Sequence, residues 1–317
     1  MSEPVAAWAE AIRQGDPRAL ARGLSLVERG GAAAEQLLKA LFAHTGRALL
    51  TGITGAPGAG KSTLVAALAA AYRQDGETVG ILAVDPSSPF THGAILGDRV
   101  RMQQHHADTG VFIRSMATRG CLGGLAAATA EAAWVLDAAG CRQILTETVG
   151  VGQDEVDIVQ LADVTVLMLV PGMGDEVQAL KAGIMEIADI FAINKADRGA
   201  DRLEQELRAM LSLARRDDGW RPPIVRTVAT EGTGIAELKA AIGKYREFLQ
   251  DGERGRERRR QRWRQRLERM LRDRAYEQLV APRVAESEWR QWAAEVEARQ
   301  RDPFTLAEEI LARSSGG

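Results

Sequence analysis

The strongest constraint on the fold is a glycine-rich stretch, residues 55–63, that reads GAPGAGKST. It follows the apolar run 48–54 and precedes the apolar helical segment 64–72, so it lies between a predicted strand and a predicted helix. Glycines here allow successive backbone N–H groups to turn inward at a helix start, where they and the helix dipole attract phosphate oxygens. The sequence therefore predicts a phosphate-binding loop within an α/β fold.

All nine residues of this stretch are expected to line the phosphate groups of a nucleotide. They are Gly55, Ala56, Pro57, Gly58, Ala59, Gly60, Lys61, Ser62 and Thr63. The Lys61 ammonium is expected to reach the β and γ phosphates, and the Ser62 hydroxyl to ligate Mg²⁺. At ordinary glycine usage, the whole pattern would arise by chance in roughly one chain in a hundred, so a glycine-rich turn that binds nothing is a poor explanation. The pattern therefore favours a nucleotide site.

Seven short apolar runs alternate with amphipathic stretches between residues 48 and 250. The runs are residues 48–54, 78–85, 111–115, 143–149, 164–170, 189–194 and 223–229. They lack polar alternation, and a strand that is apolar on both faces belongs inside a sheet covered by helices on both sides. We therefore predict a three-layer αβα fold with a mainly parallel sheet. Its ligands are expected at the carboxyl ends of the strands.

Helical patterns flank this region on both sides. Residues 4–44 carry apolar side chains at three-to-four spacing, with breaks at Gly15 and at Gly30–Gly31. After Asp251 the composition changes abruptly to an arginine-rich helical pattern. The predicted parts are an N-terminal helical arm (1–46), a P-loop domain (47–250) and a C-terminal helical arm (251–317).

Composition excludes several classes of protein. The 317 residues include 41 Lys and Arg against 43 Asp and Glu, so a charge of -2 gives no reason to expect global attraction to nucleic acid or anionic lipid. Cys121 and Cys141 lie too far apart to suggest a disulfide scaffold or a cysteine-rich zinc site. The N-terminus lacks a basic cluster before its apolar residues, and no window approaches the ~20 apolar residues of a membrane span. We expect a cytoplasmic chain that is neither exported nor inserted.

The tetrapeptide NKAD, residues 194–197, follows the sixth apolar run and indicates which base is bound. The carboxylate of Asp197 can accept hydrogen bonds from the N1–H and 2-amino groups of guanine, whereas adenine offers neither donor. A buried carboxylate left unpaired is costly, and sites of this kind can reject the wrong ligand by roughly 10⁴-fold. Asp197 therefore predicts GTP over ATP. The segment 228–234 resembles the third base-contacting loop of GTPases, with the Ala229 N–H near the guanine oxygen.

Acidic residues at strand ends are candidates for the metal site. Glu147 ends the fourth apolar run, where an acid can hold Mg²⁺ through water, and the N–H of Gly150 can bond to the γ-phosphate. Most GTPases carry Asp at the first of these positions, so Glu147 is a departure. Asp85 and Asp98 add two carboxylates on the loop after the second strand. Alternatively, Asp85 and Asp98 could each cap a helix or form a turn, with no role in metal binding. Loss of the γ-phosphate is expected to rearrange these segments.

Six strings together resemble the MeaB/ArgK family of P-loop GTPases, relatives of human MMAA. The strings are GAPGAGKST, VDPSSPFTHGAILGDRVRM, RSMATRGCLGG, ETVGVGQ, GMGDEVQALKAGIMEIAD and NKAD. The likeness covers about residues 10–250, and the chain departs from many relatives at His92 and Cys121. The resemblance implies a metallochaperone whose GTP binding and hydrolysis gate adenosylcobalamin delivery to an acyl-CoA mutase and help release damaged cofactor. Methylmalonyl-CoA mutase is the default partner, and isobutyryl-CoA or hydroxyisobutyryl-CoA mutases are relatives it could serve.

The resemblance also implies roles for single residues. Lys61 and Ser62 bind phosphate and magnesium. Three acids, Asp85, Asp98 and Glu147, surround the metal and the hydrolytic water. The base is held by Asn194, Lys195 and Asp197. The segment 172–186, which includes Asp175, Gln178 and Lys181, resembles the third switch that meets the mutase. Either Lys181 or a group from the mutase is a candidate for stimulating hydrolysis.

Three other functions stay open as alternatives. A P-loop kinase would share the phosphate loop, but NKAD and ETVG are not expected of one. A nickel-insertion GTPase would usually carry a Cys- or His-rich metal-loading segment, which this chain lacks. The histidines are His44, His92, His105 and His106, and none follows an aspartate at the spacing of the cobalamin-ligating Asp-x-His-x-x-Gly motif. We therefore expect no cobalamin bound through a histidine of this chain.

The third alternative, nucleic-acid binding, concerns residues 251–274, where eleven arginines and five acidic residues give a local charge of +6. Trp263, Leu267, Leu271 and Ala275 recur at four-residue spacing. An arginine face with an apolar stripe could bind nucleic acid, but no base-reading fold accompanies it. Packing of the stripe on a partner helix is the favoured interpretation. The resemblance points to a homodimerisation arm, continued by Trp289 and Trp292.

Overall fold

The computed structural model describes residues 3–85, 108–117, 124–147, 161–172, 188–213, 216, 218–250 and 252–315. The chain divides into two compact units, Met1–Gln250 and Asp251–Gly317.

The described strands of the first unit form one seven-stranded sheet. They are β1 (Leu49–Gly55), β2 (Val79–Asp85), β3 (Val111–Ala117), β4 (Gln143–Glu147), β5 (Val164–Leu169), β6 (Ile190–Ile193) and β7 (Ile224–Arg226). Their order across the sheet is β3-β2-β4-β1-β5-β6-β7, and all six pairings are parallel. Each predicted apolar run overlaps one strand, and the predicted αβα fold with a mainly parallel sheet is confirmed.

The described helices of this unit cover both faces of the sheet. They are α1 (Glu3–Arg13), α2 (Pro17–Arg29), α3 (Ala32–Phe42), α4 (Lys61–Gln74), α5 (Gly124–Ala138), α6 (Asp201–Leu213) and α7 (Ile235–Gln250). Helices α4 and α7 share a core with one face, and α1, α2, α3, α5 and α6 share cores with the other. Strands β1, β4, β5 and β6 are buried along their whole length. This double cover explains why they read as unbroken apolar runs.

The N-terminal helical region packs into the first unit. Its breaks lie where predicted, with Gly15, Gly30 and Gly31 at positive φ. Ile12 and Leu24 are fully buried in a core shared with α5. The carboxylate of Asp137 in α5 accepts hydrogen bonds from the N–H groups of residues 46–48, just before β1. These contacts join α1–α3 to the strand that leads into the glycine-rich loop.

The second unit is helical. It contains α8 (Gly252–Ala275), α9 (Glu286–Glu297) and α10 (Pro303–Ser315), with a π-helical turn directly after α8. Its small core consists of Val280, Trp292, Leu306 and Ile310. The predicted apolar stripe of α8 is largely exposed, at 40% for Trp263, 54% for Leu267 and 67% for Leu271. Across the residues that the structure describes, no helix combines the length and apolarity needed to cross a membrane.

Candidate nucleotide-binding site

The glycine-rich loop leaves β1 at the carboxyl edge of the sheet. Gly55, the last residue of β1, has φ 144°, and a Cβ added there would lie 2.2 Å from the carbonyl oxygen of Met168 in the neighbouring β5. Only glycine allows this close approach of the two backbones. The loop therefore starts at the centre of the sheet, where strand order changes direction and ligands of parallel sheets bind.

Helix α4 begins directly after the loop with its first N–H groups lacking a side-chain cap. Gly60 is the N-cap residue, in the left-handed conformation at φ 98°, and the first turn contains no acidic residue. Ser62 and Thr63 are half-buried in this turn. An uncapped helix start combines N–H donors with the positive end of the helix dipole, which suits a phosphate group.

The ammonium group of Lys61 lies inside the loop. The residue is 7% exposed, and its Nζ donates to the carbonyl oxygens of Gly55 at 2.5 Å and Ala56 at 2.9 Å. These carbonyls hold the positive charge beside the uncapped start of α4. The arrangement places a cation and backbone N–H donors together, as phosphate binding requires.

The Asn194 side chain joins three loops at this edge. It is 3% exposed and follows β6. Its Nδ2 donates to the Ala59 carbonyl at 2.9 Å, and its Oδ1 accepts from Thr227 Oγ1 at 3.2 Å and from the Ala229 N–H at 3.1 Å. A Cβ added to Gly60 would lie 2.7 Å from the same Nδ2. The phosphate loop and the predicted base loops thus share one buried amide.

The Asn194 amide has one more hydrogen-bonding group than its protein partners use. A carboxamide oxygen accepts two hydrogen bonds and its nitrogen donates two. Both acceptor sites of Oδ1 are filled, and one N–H of Nδ2 is engaged. One N–H therefore remains for a ligand acceptor. Both purines offer a ring-nitrogen acceptor, so this group alone cannot distinguish guanine from adenine.

The next three residues shape the rest of the base loop. Lys195 has left-handed φ of 54°, and its Nζ donates to the Gly58 carbonyl at 2.9 Å. The Ala196 N–H donates to the Thr227 carbonyl at 3.1 Å, and a short 3-10 turn covers Ala196–Arg198. Asp197 is exposed, and none of the described residues bonds to its carboxylate. Its oxygens are thus accessible acceptors on a loop tied to the phosphate loop.

The predicted third base loop contains Ala229, which is 7% exposed. Because the Ala229 N–H already donates to Asn194, a guanine oxygen at this position would share that hydrogen. Thr227 was missed by sequence reasoning, although it joins both base loops through its hydroxyl and backbone. The available signal was a polar residue inside the apolar run 223–229, directly before the predicted third base loop at residue 228.

The candidate metal ligands lie at neighbouring strand ends. Glu147 is 5% exposed and is in register with Ile53 of β1 and Ala83 of β2. Asp85 ends β2, two residues beyond Ala83. The Ser62 hydroxyl and these carboxylates are oxygen donors, which fit Mg²⁺, an ion that typically takes one or two carboxylates plus phosphate oxygens. Within the described ranges, no group of three or more His, Cys, Asp and Glu residues forms a metal site by itself.

Several predicted site residues lie outside the described residues. They are Asp98, Gly150 and Lys181, together with Asp175, Gln178, His92 and Cys121. The side chain of Asp85 is outside them as well. The remaining predicted residues all lie at the carboxyl edge of the sheet or on the loops that leave it.

Comparisons with known proteins cover both compact units. A family model described as "Methylmalonyl Co-A mutase-associated GTPase MeaB" matches residues 20–284. A protein of Pyrococcus abyssi whose name describes it as a GTPase is 50% identical over 316 residues, 97% of this chain and 96% of its own. The GTPase ArgK of Escherichia coli is 38% identical over 247 residues, 75% of each chain. The crystal structure of an LAO/AO transport system kinase has a TM-score of 0.74 at 27% identity and covers 98% of each chain.

Gly60→Ala is expected to destabilise the protein more than Gly58→Ala does. Both glycines have left-handed φ, 98° and 76°, so either alanine adds backbone strain of about 1–2 kcal/mol. A Cβ at Gly60 meets the Asn194 amide, whereas no described atom lies within 4 Å of one at Gly58. Disturbing that buried amide should cost a further ~1–3 kcal/mol in urea unfolding. Equal losses of unfolding free energy in the two variants would contradict the contact between Gly60 and the Asn194 amide.

Proposed function

Because the chain belongs to the MeaB family of methylmalonyl-CoA mutase-associated GTPases, we propose that it hydrolyses GTP and thereby chaperones an adenosylcobalamin-dependent acyl-CoA mutase. The observation that carries the nucleotide part is the Asn194 amide, which joins the phosphate loop to both base loops. The mutase part is supported by the family description and by the resemblance of residues 172–186 to a switch that meets the mutase.

The proposed binding mode uses each group for what its geometry allows. The backbone N–H groups of residues 55–63 other than Pro57, together with the Lys61 ammonium, hold the phosphates. Asp197 accepts hydrogen bonds from the guanine N1–H and 2-amino groups, which makes it the residue that distinguishes guanine from adenine. The remaining N–H of Asn194 donates to a ring nitrogen that both purines carry. The Ala229 N–H donates to both Asn194 and the guanine oxygen. Lys195 holds the base loop against Gly58.

The metal and the water complete the proposed site. Ser62, Asp85 and Glu147 would hold Mg²⁺, directly or through water, and bound Mg²⁺ neutralises charge on the β and γ phosphates. We assign Asp98 to the attacking water from the family resemblance, and the Gly150 N–H to the γ-phosphate from its position three residues after Glu147. Lys181 or a group from the mutase would stimulate hydrolysis. Phosphoryl transfer depends mainly on positioning and charge stabilisation, so unaided turnover should be slow, about 10⁻⁴ to 10⁻² s⁻¹.

The second unit is proposed to form a homodimer. The exposed side chains of Trp263, Leu267 and Leu271 recur every four residues on α8, a helix whose other side chains are mostly charged. Burying such a stripe against a second copy removes apolar area from water, at about 25 cal/mol per Å². This role is independent of the nucleotide chemistry and can be tested separately.

A kinase is the second candidate, because one similar solved protein is described as a transport system kinase. A kinase would transfer the γ-phosphate to an acceptor, whereas a GTPase transfers it to water. The two are separated by the product: labelled phosphate on an acceptor, or free inorganic phosphate. The guanine-directed loop favours hydrolysis by a switch GTPase.

Asp197→Asn is expected to change the preferred base from guanine to xanthine. The asparagine carbonyl can still accept from N1–H, while its amide nitrogen meets the xanthine 2-oxo group and no longer accepts from a 2-amino group. Calorimetry should show that the variant binds GTP at least ~100-fold more weakly than the unmodified protein does, and binds XTP more tightly. Asp201→Asn removes another exposed carboxylate nearby in sequence and should leave GTP affinity unchanged. Retained GTP preference in the Asp197 variant would exclude it as the discriminating residue.

Adding a cobalamin-dependent acyl-CoA mutase from the same source should accelerate phosphate release from GTP. The expected change is at least ten-fold over a basal rate on the order of 10⁻³ s⁻¹, because a partner can complete the positioning and charge stabilisation. Phosphate release with saturating GTP measures it. Lys61→Ala should abolish both basal and stimulated turnover. A rate insensitive to every such mutase would remove the proposed partner and leave the nucleotide site intact.

Leu271→Glu is expected to convert the dimer to a monomer, and truncation after residue 250 should do the same. A charge in the stripe would be buried unpaired at the interface. Leu213→Glu, at another exposed leucine (86%), is the matched control and should stay dimeric. Sedimentation velocity distinguishes the species. A truncated protein that still sediments as a dimer would refute the assignment.

A further inference from the structure

Two buried threonines flank a glycine in the middle of the sheet. Thr146 of β4 and Thr165 of β5 are both in register with Gly52 of β1, which lies between them. Their exposed fractions are 0% and 2%. Laterally paired residues of parallel strands point to the same face, here the face covered by α5 and α6, since Ile144 and Leu167 on it pack in those cores.

Neither threonine hydroxyl has a hydrogen-bond partner among the described residues, although each oxygen is fully shielded from solvent. A buried hydroxyl without a partner loses its bonds to water and gains nothing in return, so native proteins avoid it. Buried hydroxyls that no protein group reaches are commonly satisfied by internal water, which makes two to four hydrogen bonds. Two such groups on either side of one glycine therefore need a common explanation.

A third buried hydroxyl provides a contrast within the same sheet. Thr51 of β1 is 0% exposed and also lacks a partner among the described residues. Its lateral neighbours are Leu145 and Val164, and it lies on the opposite face, in the apolar core shared with α4 and α7. Both lateral neighbours of Thr51 are apolar, so neither offers a second hydroxyl to share a water molecule with it.

We propose that Thr146 and Thr165 bind a chain of two internal water molecules over Gly52. Strands lie about 4.8 Å apart, so the two threonine Cα atoms are separated by about 9.6 Å. One water spans at most about 5.6 Å between two oxygens, whereas two waters span about 8.4 Å. A chain of two waters therefore comes closer to the spacing of the two strands than one water does. Gly52 has no side chain, so it places none between the two hydroxyls.

The position of this water chain ties it to the strands that carry the nucleotide site. Thr146 directly precedes Glu147, and Gly52 lies three residues before Gly55. Two further threonines, Thr54 and Thr129, are buried on the same side of the sheet, in β1 and α5. The waters would join β4 to β5 across β1 by hydrogen bonds, close to the strand ends that carry the nucleotide site.

Valine substitutions test the proposal, because valine keeps the threonine shape and removes the hydroxyl. Thr146→Val and Thr165→Val should each lower the Tm of the full chain by about 2–4 °C, since each substitution removes a hydrogen-bond partner of a bound water. The double variant should lose less than the sum, because both hydroxyls hold one chain. Thr51→Val, the matched control, should raise the Tm. A rise for all three variants would overturn the proposal.

A crystal structure of the full chain at better than 2 Å resolution gives the direct observation. We expect two ordered waters over Gly52, one within 2.6–3.2 Å of Thr146 Oγ1 and one within that distance of Thr165 Oγ1. No water is expected beside Thr51 Oγ1. Carbon atoms packed against both hydroxyls, with no water peak between them, would overturn the proposal independently of the Tm values.

Discussion

The candidate site depends on one buried amide. Asn194 bonds to the Ala59 carbonyl of the phosphate loop, the Thr227 hydroxyl and the Ala229 N–H, and it occupies the space that a side chain at Gly60 would need. Because the amide is 3% exposed, its three hydrogen bonds compete little with water. The loops that would hold the phosphates and the base are therefore not independent. A change that moves one of them moves the Asn194 contacts of the others.

The sheet sets where these loops can meet. A parallel arrangement brings the ends of β1, β4, β5 and β6 to one edge, and burial on both faces keeps those strands apolar along their length. The close contact between Gly55 and the Met168 carbonyl shows how little freedom remains at the start of the loop. Lys61 and the uncapped start of α4 then concentrate positive charge at the same edge. The fold thus concentrates positive charge where the proposed phosphates would bind.

Local patterns predicted much of this arrangement. The seven strands, the loop position and the breaks near Gly15 and Gly30 were predictable because each depends on neighbours in sequence. The strand order, the packing of α1–α3 on α5 and the Thr227–Asn194 bond were not. They join residues far apart in the chain: Thr227 and Asn194 are 33 positions apart, and Asn194 and Ala59 are 135. No spacing rule links such positions. The roles of Asp98, Gly150 and Lys181 remain predictions.

The most direct test of the central claim is the affinity of the purified full chain for GTP and for ATP, measured by titration calorimetry with Mg²⁺ in the same buffer. If the Asp197 carboxylate reads the guanine 2-amino group, GTP should bind roughly 10⁴-fold more tightly than ATP, as expected for a site built on such hydrogen bonds. Equal affinities for the two nucleotides, or binding of neither, would contradict the account.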